Sequence, residues 1–125
     1  MATTINDSDY RTKIAGEDLS SAQYMFVTLE SDGDLDLADA ITDITYGVLQ
    51  NAPEAGEEAL VKVSGETKVI AGAALSFGNF VGPSTAGKAQ VAVSTQYARG
   101  RVVEEAGADL DVAVIQLFDT AVALA

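Results

Sequence analysis

Two carboxylate pairs, Glu57-Glu58 and Glu104-Glu105, are where acid–base chemistry would first be sought in this 125-residue chain. Neighbours along a strand point to opposite faces, so neither pair converges on one reacting atom. Both read as solvated strand ends. Asp32, Asp34 and Asp36 occupy positions one, three and five of a calcium-loop spacing. The sixth position is Leu37 where the turn needs glycine, and the twelfth is Asp43 instead of glutamate; a solvated acidic turn fits better. Gly82, Gly87 and Lys88 have the spacing of a phosphate loop, but Ala89 stands where a hydroxyl would bind magnesium. No helix follows to hold phosphate at its amino terminus. Serine and threonine are plentiful, yet without histidine no base stands out to activate them. The absence of cysteine as well removes thiolate chemistry and the usual zinc, copper and iron ligands. Arg99 and Arg101 alternate with small residues, either as ordinary outward charges or as contacts to an acidic partner. The residues therefore nominate no catalytic, cofactor-binding or metal-ligating position and imply no cofactor; the chain reads as a non-enzyme.

The elements carrying these residues follow β meander grammar. Tyr46–Leu49 is a short apolar strand, stopped by Asn51-Ala52-Pro53, where proline fixes φ and extends the residue before it. Ala59, Val61 and Val63 alternate with Leu60, Lys62 and Ser64, a period of two. Ser64-Gly65 reads as a hairpin turn, with Glu66–Ala71 as the return strand. Upstream, Gln23–Glu30 is apolar on both faces, which predicts two-sided burial, and Asp32-Gly33 turns it into Leu35–Leu37. Ala38–Thr45 is a connection. Downstream come short strands at Phe80-Val81, Lys88–Ser94, Gln96–Glu105 and Asp111–Phe118, then the apolar tail 119–125. Gly100 marks a bulge or a close backbone approach. The expectation is a mainly β chain: a small antiparallel β-barrel or sandwich of about eight short strands with an extended N-terminal arm. The arm is residues 1–21 and the single β domain 22–125. Ile5, Tyr10, Ile14 and Leu19 are isolated apolar residues in an otherwise polar arm, which is either a loose tail or a segment docking on a neighbour.

Seven basic residues against nineteen acidic ones give a net charge of −12. That sign argues against nucleic acid, which needs a basic footprint, and against an anionic membrane surface. No apolar run approaches a membrane span, and no secretory signal pattern is visible, so synthesis in a cytoplasm is expected. Nearly half the residues are apolar but only 6% are aromatic. Small side chains make thin cores, so one copy is expected to be marginal, with assembly adding stability.

Taken in order, several pieces resemble the capsid decoration, or cement, proteins of tailed bacteriophages. They are Ile14-Ala15-Gly16-Glu17-Asp18-Leu19, Gln23–Val27, Asp32-Gly33, Tyr46–Pro53 with Ala55-Gly56-Glu57, and Val63–Val69. Ala71-Gly72, Gly78–Val81, Ala86-Gly87-Lys88, Gly100–Glu104 and Asp111–Leu117 complete the set. The resemblance spans roughly residues 14 to 118; the long N-terminal segment departs from it. It implies a compact β-barrel-like domain, often trimeric, on the outer surface of the virion head. There it would bind the major capsid protein and stabilise contacts between its copies, with Ile5, Tyr10, Ile14 and Leu19 as candidate contacts. The alternatives are a tail or connector component or, from a different class, a small β binding module.

Overall fold

A computed structural model describes residues 9–124. Its longest element is a strand of thirteen residues, β5 (Glu58–Ile70), and the rest of the chain is built on it. Chain order gives β1 (Asp9–Ala15), β2 (Phe26–Leu29), β3 (Asp34–Leu37) and β4 (Gly47–Leu49) before β5. After it come β6 (Phe80–Pro83), β7 (Ala89–Val91), β8 (Tyr97–Glu104) and β9 (Val112–Ala123). The chain is all-β: nine strands among the described residues share one sheet, and none of those residues is helical.

The lower half of β5 pairs with β1 and β4, and its upper half, Gly65–Ile70, pairs antiparallel with β9. The hairpin expected at Ser64-Gly65 is therefore absent; the strand runs straight through. Gly65 has a φ of +91°, which only glycine adopts without strain. There it redirects a continuous strand from one set of partners to another. Strands β1, β3, β2, β4 and β5 pair in a closed circuit of five, with β1–β3 the one parallel contact between these strands. On the other side the sheet continues β5-β9-β8-β6-β7.

Two cores result, one for each half. Leu19, Val27, Leu35, Leu49 and Val61 fill the ring. Phe26, Val48, Val69, Leu75, Val81, Val102 and Ile115 form the other cluster. Strands β2 and β4 lie between them, because alternate residues face opposite ways: Phe26 and Val48 serve one core, Val27 and Leu49 the other. The two-sided burial expected of Gln23–Glu30 is thus realised at Phe26 and Val27, while Leu29 is exposed. Ten of the twenty-three buried apolar residues are alanine, and Phe26 is the one buried phenylalanine among those described. Each full-sized side chain contributes about 1.5–3 kcal/mol, so a few residues carry most of the apolar stabilisation.

The segment expected as an arm is woven into this fold from Asp9 onward. Asp9–Ile14 pair with β5, and Ile14-Ala15 pair with β3. Leu19 is 1% exposed and donates its N–H to the Pro53 carbonyl at 2.9 Å.

Candidate contact site

Of the four nominated contact residues, Ile5 lies outside the described residues. Tyr10 and Ile14 stand exposed on β1, and the Tyr10 ring carries the Lys62 ammonium 5.2 Å from its centroid. Leu19 belongs to this chain's own core and has no surface to offer a neighbour. An isolated leucine in a polar stretch gives no period, so its burial was decided by the distant Pro53 turn.

The acidic and phosphate-loop motifs are absorbed by local structure. Asp32 Oδ1 accepts from Asp34 N at 2.9 Å, closing the turn around Gly33. Glu57 Oε1 accepts from Glu54 N at 2.7 Å, and Glu105 Oε2 accepts from Phe77 N at 2.9 Å. Ser84 Oγ accepts from Ala86 N and Lys88 N, both at 3.1 Å, while Lys88 Nζ pairs with Asp109 at 3.0 Å. Ala86 N, Lys88 N and the Lys88 ammonium are thus already engaged within the protein. Asp36 is the titratable outlier of the acidic turn. Partial burial, then repulsion from Glu17, Glu30, Asp32 and Asp34, pushes its carboxyl above the ordinary aspartate value. Among the described residues no group of three or more acidic side chains is placed to hold a metal ion.

Arg99 overturns the outward alternation expected of β8. The register of β8 on β9 shifts between Ala98 and Gly100, and this bulge turns Arg99 inward. Gly100 also makes the close approach that its type implied: a Cβ there would sit 2.8 Å from the Gln116 carbonyl oxygen. Arg99 is 4% exposed. Its Nε donates to Phe118 O at 3.0 Å, Nη2 to Val63 O at 2.9 Å, and Nη1 to the Thr45 carbonyl. These carbonyls belong to β9, to β5 and to the loop before β4. Burial lowers the guanidinium's pKa, opposed in part by Asp119; arginine nonetheless keeps its charge at any ordinary pH.

The position of this side chain explains its role. The β5–β9 register ends at Gly65↔Leu117. The next two steps would place Ser64 opposite Phe118 and Val63 opposite Asp119. Instead Ser64 pairs with Asp9 of β1, and β9 peels away with β8. Arg99 sits where the strands part and binds backbone carbonyls that the fork leaves unpaired. Above it opens a cleft of about 750 Å³, walled by Asp9 and Arg11, by Ile44–Tyr46, and by Asp119–Ala121. Arg11 is paired with Asp9 there, and the Asp119 carboxylate adds a negative charge to the wall near Arg99.

A second surface lies on the outer face of the β5-β9-β8-β6 half. Phe80, Arg101 and Gln116 are cross-strand neighbours there. Phe118 lies two residues on from Gln116, its ring centroid 6.0 Å from that of Phe80 in an edge-on contact. Val112 and Phe80 are about half exposed, and Phe77 nearby is 68% exposed. Arg101, unlike Arg99, does point outward, as the alternation predicts.

No protein-family model matches this chain, and no curated protein does either. A solved structure does: the crystal structure of the N base of head fiber gp8.5 in bacteriophage phi29. The TM-score is 0.71, with 92% of this chain and 98% of that chain covered at 18% sequence identity. The likeness establishes a shared fold over almost the whole of both chains.

Proposed function

We propose that this protein is a structural component of a bacteriophage virion that decorates the head. It acts as a cement protein, binding the outer surface and stabilising contacts between copies of the major capsid protein. The observation that carries this reading is the fold shared with a phage head-fiber base along nearly the full length of both chains. The ordered set of sequence pieces resembling decoration proteins points the same way. The chain's chemistry is consistent with it: several of the polar motifs are engaged in internal hydrogen bonds, and apolar side chains stand exposed. Binding of this kind draws on buried area, in total above about 1,000 Å² for a stable contact. A trimer bridging several capsid subunits would multiply modest single contacts by avidity. The outer surface carrying Phe80, Phe118 and Val112 supplies apolar area for either interface.

A second reading follows from the phi29 protein, which is the base of a head fiber: the present chain would then seat a projection on the head instead of cementing it. One experiment separates the two. Undecorated heads are mixed with the purified protein, sedimented, and heated until their DNA is released. Saturable co-sedimentation with a raised release temperature is expected of a cement. Binding without any change in release temperature would favour the fiber base, and no binding would refute both.

A further inference from the structure

Two segments, 71–79 after β5 and 104–111 between β8 and β9, run side by side. Leu110 N donates to Ala71 O at 2.7 Å, and Ala71 N to Asp111 O at 2.8 Å. Leu75 and Ala106 exchange two backbone hydrogen bonds, at 2.9 and 3.2 Å. This pair of loops carries the two most exposed large apolar side chains among the described residues, Phe77 at 68% and Leu110 at 63%. Ala73, Ala74 and Ala108 on the same segments are exposed as well. Phe77 is held outward by a turn: Asn79 N donates to Ser76 O at 3.0 Å, and Gly78 supplies the positive φ, +84°, that the third position needs. Leu110 is held at a cost. Its own φ is +72°, a left-handed backbone that a bulky side chain disfavours and glycine adopts freely. So exposed a leucine regains little by burial, and strain retained where the fold gains little from it points to function.

We infer that this pair of loops is a docking face, with Leu110 and Phe77 as anchors for a partner protein surface that is apolar at its centre and basic around it. Charge selects the partner. The two segments hold Glu104, Glu105, Asp109 and Asp111 and neither lysine nor arginine. Of the four carboxylates Asp109 is paired, with Lys88 at 3.0 Å. Glu105 and Asp111 accept backbone N–H groups from Phe77 and Gly107 and keep their charge. Arg101 approaches from the sheet at Gly78; four carboxylates against these two cations leave the face negative. A basic rim on the partner would steer and orient the encounter, while the anchors supply the buried area. A second copy of this chain, at −12, is a poor occupant. Residues 1–8 join the fold at Asp9 opposite Ser64, six residues and about 20 Å along β5 from Ile70, where the 71–79 segment begins. Naming the capsid protein as the partner rests on the proposed function; the face itself does not.

Three arms test the inference on the full chain. In the first, amide chemical shifts are followed during titration with an acetylated, amidated peptide of alternating lysine and leucine. The largest changes should fall in 73–77 and 104–111, and affinity should drop as salt rises. Changes centred on the acidic turn Asp32–Asp36, or spread over all the acidic surface, would overturn the face. A chain starting at Asp9 that binds the peptide markedly better would make residues 1–8 the occupant and overturn the partner. In the second arm, Leu110→Gly removes the anchor together with its strain. It should weaken peptide binding by roughly tenfold and melt no lower than the parent. Unchanged affinity, or a lowered melting temperature, would overturn the role of Leu110. In the third, the same variant should weaken co-sedimentation with undecorated heads. Equal binding of parent and variant would overturn this face as the capsid contact and leave the cement reading intact. Peptide binding at this face by a parent that fails to bind heads would keep the face and sink the cement reading.

Discussion

Two side chains carry most of what the fold does unusually, and both are open to substitution. Arg99 binds carbonyls from three elements, and three short backbone segments would lose a partner without it. Arg99→Lys keeps the charge, but one ammonium has no planar fork to span three acceptors. Each abandoned buried acceptor costs about 1–3 kcal/mol, so urea unfolding should show a loss of about 2–5 kcal/mol. Asp36 works in the opposite sense. Its folded-state pKa lies above the unfolded value, so the folded protein holds the proton more tightly. Its ionisation then costs stability as pH rises through the window between the unfolded and folded values, and the cost persists above it. Asp36→Asn should be at least as stable as the parent at neutral pH and should flatten the stability profile across that acidic window. Melting temperatures at a series of pH values check this.

Among the elements, β5 shows how far local sequence carries and where it stops. The alternation over Ala59–Ser64, the return run from Glu66, and the strands around Val48, Leu35 and Ile115 are all legible, because each has one clear apolar face. Ser64-Gly65 has the chemistry of a tight turn, and nothing local separates a reversal from a glycine within a running strand. The decision is made by the partners, β1 below the glycine and β9 above it, which lie far away in sequence. Arg99 was missed for a related reason: strict alternation points it outward, and only the bulge beside Gly100 reverses it. The glycine was the available signal, since a residue lacking Cβ amid a strand marks such a shift. Substituting Gly65 with alanine should cost about 1–2 kcal/mol through its positive φ while leaving the β-sheet circular-dichroism spectrum unchanged. Deleting residues 1–19 removes β1 and the core residue Leu19. That truncation should fail to fold cooperatively, in contrast to removal of a dispensable arm.

At the scale of the whole molecule, the proposed virion role would make an assembly the working state, and the small side chains of the core are consistent with that proposal. Ten buried alanines give the isolated chain little apolar stabilisation to spare. Under that proposal the exposed Phe77, Phe80 and Val112 are the apolar area a neighbour would cover. Stability should therefore rise on binding, as it does whenever a ligand recognises the folded state alone. The most direct measurement is electron cryo-imaging of undecorated heads incubated with the purified protein. Added density of the size of this domain is expected at regular positions on the outer surface, contacting more than one capsid subunit. Heads whose outer surface is unchanged at saturating protein would contradict it.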